Sequence, residues 1–359
     1  MDICDCQLEW LQCLQSTENS LLCNYSGLKT LPTDKLCQKH QGLVKKIYLK
    51  SNKISSIPDN FHLVFRNVME LYLPSNRLDE LPASFVHLAC LENVNLDTNL
   101  FKAFPKSLFG LAKLKKLVLR NNEIEVIPSE IGKMAMLQHL DVSFNKLKWI
   151  PGNIGGCKKL EKLWVNRNRL STLPRQLCEI PKLAEVNVSS NRITHLPIDF
   201  GKSPEFKSFC MDDNKMFCVV PHHLKPKVHR FSCTWRTPLT HEIALHFGLK
   251  LITLNTRDGS CLALMPEHIH PCSEGKPMSL KDTAARAIHQ DNFFERLPAS
   301  LTEYLISPMG HCYFCNLALY WTIFVDYAET ADLFGTSMHS VAYFCSVYCA
   351  ISFKALNGF

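Results

Sequence analysis

The sequence predicts an α/β solenoid, a horseshoe with parallel β-structure on its concave face, followed by a small α+β C-terminal domain. Three observations carry this. Asparagine recurs at Asn52, Asn76, Asn99, Asn122, Asn145, Asn168, Asn191 and Asn214, one spacing of 24 followed by six of 23. A proline follows six residues behind each of the first seven, from Pro58 to Pro197, and one residue late at Pro221. Beyond Pro221 the phase is lost and paired cysteines appear instead, at Cys312 with Cys315 and at Cys345 with Cys349. A fixed period in this range marks stacked supersecondary units, each unable to bury its apolar face alone.

Residues 1–25 read as an N-terminal cap segment, and residues 26–230 as about nine repeats, the first a degenerate copy with Ser26 before Pro32. Each repeat reads Leu-x-x-Leu-x-Leu-x-x-Asn-x-Leu-x-x-Leu-Pro-x-x-Leu-x-x-Leu. Leu114, Leu117, Leu119, Asn122, Ile124, Ile127, Pro128 and Ile131 make up one copy. The Leu-x-Leu step has the period of two of a strand with one buried face, so Leu117 and Leu119 point inward while Lys116, Val118 and Arg120 point out. The asparagine satisfies backbone groups where the chain turns off the strand. Proline fixes φ and disfavours helix before it. A short helical or 3₁₀ stretch on the convex side follows.

The phrase resembles the leucine-rich repeat, over roughly residues 20–230. The resemblance implies an asparagine ladder running between repeats, and makes these asparagines and leucines structural. Function then falls to the positions that vary within the frame. The central outward column reads Tyr48, Tyr72, Asn95, Val118, Asp141, Trp164, Asn187 and Cys210, flanked by residues such as Lys116, Arg120, His139, Phe144, Lys162, Arg167 and Glu185. Tyr, Trp and Arg are the residue types that most often anchor interfaces. Tyr48, Tyr72, Arg120, Trp164 and Arg167 are therefore the candidate partner-binding residues. A lone exposed aromatic is ordinary, and covering a neighbouring repeat is the bland alternative for Trp164.

The segment Pro221–His229 reads as a basic, proline-containing linker, and residues 231–359 as a second unit. Apolar segments at Ile243–Leu254 and Cys261–Met265 open it; Ser279 and Ser300 suit helix starts. Its main feature is the C-x₂-C of Cys312 and Cys315 with the C-x₃-C of Cys345 and Cys349. Two sulfurs on one tight knuckle and a second close pair complete a tetrahedral S₄ set that suits zinc. The β-rich run Tyr320–Val325 and a strand at Val341–Phe344 precede a helix that carries Cys349 on its first turn. Knuckle, hairpin and ligand pair at a helix start resemble the treble-clef zinc fingers, and Phe344-Cys345-Ser346 with Cys349 the FCS/TRASH group. Four protein ligands leave no open position, so the expected zinc is structural. Four unligated cysteines in an apolar tail are the alternative.

Seventeen cysteines is a high, odd count. No apolar run is long enough to span a membrane, and the N-terminus lacks the basic start and apolar stretch of an export signal. Free thiols in a reducing compartment, cytoplasmic with the nucleus as alternative, are the expectation. Cys90, Cys157 and Cys178 fall inside repeats, where a thiol packs as a small hydrophobe.

Charge is uneven: residues 1–230 hold 32 basic and 22 acidic side chains, and residues 231–359 hold 8 and 11. Residues 312–353 contain neither Lys nor Arg, which argues against nucleic acid at the cysteine pairs. There is no phosphate loop, no dinucleotide-binding glycine phrase, and His241-Glu242 lacks the second histidine of a zinc-protease helix. No enzyme activity, no small-molecule substrate and no membrane contact are expected. The reading is an intracellular protein-interaction adaptor working through the concave face. The Leu-Pro phrase also resembles that of leucine-rich-repeat scaffolds in Ras signalling. Nucleic-acid or ubiquitin-pathway binding through the tail is the alternative.

Overall fold

The computed structural model describes residues 14–15, 19–31, 33, 42–214, 219–230, 249–256, 259–266, 269–272, 309–313, 316, 318–319, 323–333, 336–344 and 347–357. Cys4, Cys6, Cys13, Cys315, Cys345, the segment 243–248 and the helices expected after Ser279 and Ser300 lie outside the described residues. The chain divides into two compact units, Met1–Leu170 with Glu179–Ser190, and Ser171–Cys178 with Asn191–Phe359.

The first unit is a stack of three-residue strands. β1 (Leu14–Gln15) pairs antiparallel with β2 (Ser20–Leu22). Then β3 (Lys46–Tyr48), β4 (Glu70–Tyr72), β5 (Asn93–Asn95), β6 (Lys116–Val118), β7 (His139–Asp141), β8 (Lys162–Trp164) and β9 (Glu185–Asn187) add in parallel, in chain order. The register places equivalent repeat positions side by side, as in Lys116↔His139 and Val118↔Asp141. Leu117 and Leu119 are fully buried, while Lys116 and Arg120 are exposed. Behind the strands the chain returns through 3₁₀ turns at Ala83–His87, Lys106–Gly110, Ser129–Lys133 and Gly152–Gly156, each preceded by its repeat's proline in extended backbone. The second turn position is instead a single α-helical turn, α1 (Phe61–Val64).

The asparagine ladder is present. Asn122 Nδ2 donates to Leu119 O (3.0 Å) in its own repeat and to Leu96 O (3.1 Å) one repeat back. Its Oδ1 accepts from Phe101 N–H at 3.1 Å. Asn52, Asn76, Asn99, Asn145 and Asn168 repeat the pattern, each spanning two turns of the solenoid. Buried backbone groups at each bend are thereby satisfied, which a stack of tight turns would otherwise leave unpaired. Cys157 is buried and its thiol pushed up to about 12 by desolvation, whereas Cys90 and Cys178 are half-buried.

In the second unit, β10 (Ser208–Cys210) pairs parallel with β12 (Val228–Arg230). The segment read as a linker is instead β11 (Val219–Pro221), a 3₁₀ turn at His222–Lys227, and β12. Apolar Val220, Leu224 and Val228 are buried at the spacing of another coil turn, so proline and basic residues here decorate structure. A hairpin follows, β13 (Lys250–Thr256) with β14 (Gly259–Met265), and then β15 (Ile269–Pro271). A short hairpin joins β16 (Gly310–His311) to β17 (Ala318–Leu319). The long hairpin of β18 (Ile323–Leu333) and β19 (Thr336–Phe344) leads into α2 (Val347–Asn357). β11 pairs parallel with β19, and β15 with β18, in one four-stranded sheet. One apolar core runs through this unit from Ile198 to Phe353.

Candidate functional site

On the concave face of the first unit the sequence-nominated residues are brought into two groups. Tyr48 and Tyr72, opposite each other in register, stack with ring centroids 4.9 Å apart and planes 5° from parallel. Burial first, and Glu70 second, push the Tyr72 hydroxyl up to about 12, so it remains a neutral donor. The other group forms around Phe144. The guanidinium of Arg120 sits 4.6 Å from the Phe144 ring centre and that of Arg167 sits 5.0 Å from it, within cation–π range. Trp164 is 38% exposed, and its indole N–H donates to Glu185 at 2.9 Å. Glu185 also meets Lys162 at 3.1 Å.

Five lysines of the repeats are matched to a glutamate on the adjacent repeat: Lys46 to Glu70, Lys115 to Glu92, Lys146 to Glu123, Lys148 to Glu125 and Lys162 to Glu185. Among the described residues Lys116, Arg120 and Arg167 enter no ion pair. His139 lies between Lys116 and Lys162 in register. Its imidazole is held below its usual range, first by burial and then by these two ammonium groups. Lys116, Arg120 and Arg167 are thus the cations gathered on this part of the face, and Asp141 attracts Arg120.

Asp141, expected on the exposed column, is only 8% exposed. Its Oδ1 accepts the Ser143 N–H at 2.9 Å and the Ser143 hydroxyl at 2.5 Å. A short acid folded back onto the next turn is shielded by its neighbours, and desolvation raises its pKa despite those bonds. Phe144, named in the sequence only as a flanking residue, is the one the arginines share. The signal was positional: the residue before each ladder asparagine is Ser, Thr, Asn or Asp in the other repeats from Ser51 to Asp213, apart from Arg167.

In the second unit two of the four nominated zinc ligands are described. Cys312 lies in the loop of the β16–β17 hairpin and Cys349 on the first turn of α2; both are buried in the same core. Tyr313 N–H donates to Tyr343 O at 2.8 Å, which ties the knuckle to the end of β19, two residues before Cys345. Among the described residues no three His, Cys, Asp or Glu side chains are grouped to hold a metal. The knuckle hairpin, long hairpin and helix occur in the expected order, with α2 starting two residues before Cys349 and β19 extending back to Thr336.

A contact the sequence did not signal joins Asp199 and His311, 112 residues apart: Oδ2 meets His311 Nδ1 at 2.7 Å and Oδ1 accepts the His311 N–H at 3.2 Å. Lys202 Nζ donates to Asn316 at 2.8 Å, and Ile198 presses against Gly310. The knuckle is thus seated on the Asn191–Gly201 turn within this unit. Ile198, Asp199, Lys202, His311 and Asn316, together with Tyr313, Tyr343 and the imidazoles of His222 and His223, line a cleft of about 120 Å³.

Stacked parallel strands, 3₁₀ returns and an asparagine ladder define a leucine-rich-repeat solenoid. The family model for the leucine rich repeat matches residues 43–101 and 91–147, so that stretch consists of leucine-rich repeats by sequence as well as by fold. No curated protein matches the chain. Similar solved structures include a leucine-rich-repeat protein of Leptospira interrogans, 26% identical over 59% of this chain and 65% of that one, with a TM-score of 0.45. The leucine-rich-repeat ectodomain of the plant membrane receptor kinase GASSHO1/SCHENGEN3 from Arabidopsis thaliana, solved in complex with CASPARIAN STRIP INTEGRITY FACTOR 2, is 24% identical over 57% of this chain and 25% of its own, with a TM-score of 0.50. Internalin C2 of Listeria monocytogenes is 21% identical over 54% of this chain and 80% of its own, with a TM-score of 0.47. The match thus spans less than two thirds of the first two proteins, and the likeness is one of fold. Such solenoids generally act as extended protein-binding surfaces. No described helix is long and apolar enough to cross a membrane.

Proposed function

We propose that this chain is a protein-interaction adaptor, a scaffold of a signalling kind inside the cell, that holds a partner on the concave face of its solenoid. The observation that carries this is the Arg120–Phe144–Arg167 stack beside exposed Trp164. Aromatic and arginine side chains on a rigid sheet supply contact area at low entropic cost. Tyr48 and Tyr72, paired on the same face, extend the surface.

The tail's part in this reading is structural. Cys312, Cys315, Cys345 and Cys349 would hold one zinc ion with four thiolates. What supports this is the burial of Cys312 and Cys349 in one core and the 2.8 Å bond from the knuckle to β19. Zinc bound so would crosslink knuckle, hairpin and helix in a unit with a small core.

The test is affinity capture from cell lysate, comparing wild type with Tyr72→Ala plus Trp164→Ala. The reading expects a defined protein that is captured by wild type and lost with the variant. A captured set that is unchanged removes the concave face as the working surface.

A further inference from the structure

The residue before each ladder asparagine sits in the left-handed region, with φ between 53° and 58° from Ser51 to Asp213. Short polar residues tolerate this backbone, and bulky ones do not. Ser51, Ser75, Thr98, Asn121, Ser190 and Asp213 are the short polar kind. Phe144 and Arg167, both at φ 54°, are not. These two adjacent repeats, like Tyr25 at φ 58° in the degenerate first copy, place large side chains where the backbone disfavours them, and strain of this type clusters at ligand-binding positions.

These same residues build the Arg120–Phe144–Arg167 stack. The ring draws two guanidiniums into one small patch, with Lys116 nearby on the same sheet, and none of the three cations has an ion-pair partner among the described residues. Asp141 attracts Arg120 but turns its Oδ1 to Ser143. Like charges gathered with no close ion pair, and only partly offset by Asp141, are costly to the free protein and favourable to an anionic ligand. Guanidiniums recognise carboxylates in a two-pronged geometry that ammonium groups lack.

We infer that the Arg120–Phe144–Arg167 patch docks a short acidic protein segment, with clustered Asp or Glu carboxylates seated on the two guanidiniums. This rests on the adaptor reading and gives its partner a chemistry. The patch is local: Glu70 and Asp97 lie to one side along the strands and Glu185 to the other. A long phosphate chain would run onto these acids and lacks the continuous basic stripe it needs, whereas a few clustered carboxylates fit between them.

The experiment pans a phage-displayed library of random 12-residue peptides on the full chain. Binding of the enriched peptides is then measured by fluorescence anisotropy. Enrichment of clustered Asp and Glu is expected, with affinity falling about tenfold in Arg120→Ala plus Arg167→Ala and weakening as salt rises. Phe144→Asn separates docking from folding, because asparagine suits the left-handed backbone. It is expected to raise Tm while weakening the same peptides several-fold. Enriched peptides without acidic clusters, or acidic peptides that bind the double variant unchanged, overturn the inference. So does a Phe144→Asn variant that loses Tm, since the ring would then be packing. A 12-nucleotide thymidine oligomer that binds as tightly and is lost in the double variant replaces it with nucleic acid. If the inference fails but the lysate partner is still lost in Tyr72→Ala plus Trp164→Ala, the adaptor reading stands without it; if neither effect is seen, both fall.

Discussion

Asn145→Ala tests what holds the solenoid together. Asn145 Nδ2 donates to Leu119 O at 2.9 Å, Val142 O at 3.1 Å and Ser143 O at 3.1 Å, and its Oδ1 accepts from Ile124 N–H at 2.9 Å. The three carbonyls have other donors: Leu119 O is bonded by Asn122 Nδ2, Val142 O by Asn168 Nδ2 and Ser143 O by Asn121 N–H. Ile124 N–H is the group this substitution strands, beneath a fully buried side chain. An orphaned buried donor costs about 1–3 kcal/mol, and loss of second bonds to the carbonyls adds a fraction of that each. The expected loss is therefore ~2–4 kcal/mol, read as a fall in unfolding free energy by urea denaturation. Hydrogen exchange should show lost protection at Ile124 and the turns on either side. Asn145→Asp should be worse at neutral pH, since a carboxylate would face three carbonyl oxygens, and should recover when acidified. Lys148→Ala, at an exposed pair with a 3.7 Å separation, serves as the control and should fall within ~0.5 kcal/mol of wild type. An Asn145→Ala variant as stable as that control would refute the reasoning.

Three further outcomes are expected. Burial raises the Asp141 pKa in the fold, so the unfolded chain ionises first and the group's contribution is lost as pH rises from the usual Asp range through the higher folded value; Asp141→Asn, which keeps both Ser143 bonds, should melt above wild type near pH 7 and level with it near pH 3. A Cβ at Gly156 would lie 2.4 Å from Gly132 O and 2.9 Å from its Cα. Backbone cannot yield there, so Gly156→Ala should cost roughly 2 kcal/mol or more by urea denaturation while Gly42→Ala, with only ordinary side-chain contacts, changes little. If zinc is bound, Cys312→Ser or chelation should melt the tail and leave the repeat block's circular dichroism intact; a tail equally stable after chelation and free of zinc by elemental analysis would end that proposal.

Much of the repeat block is written in single positions. A buried period-two strand demands Leu117 and Leu119, and a turn with buried backbone demands Asn122, so spacing alone identifies them. The 3₁₀ returns follow from the proline for the same reason. What spacing could not convey depends on conformation or on distant contact. Phe144 acquires meaning from its left-handed φ and from guanidiniums one repeat away on each side. Asp141 was legible as facing outward but not as folded back onto Ser143. The linker reading of Pro221–His229 fails because its basic and proline residues mask the buried Leu224 and Val228. The Asp199–His311 contact spans 112 residues and leaves no local trace.

The central claim, that the concave face is the docking surface, is tested most directly by photo-crosslinking in cells. Benzoyl-phenylalanine would be placed at Trp164 on the concave face and, separately, at Lys113, an exposed position away from the strands. The account predicts a defined protein adduct from the position at Trp164 and none from that at Lys113. Equal adducts from both, or adducts only from Lys113, would contradict it.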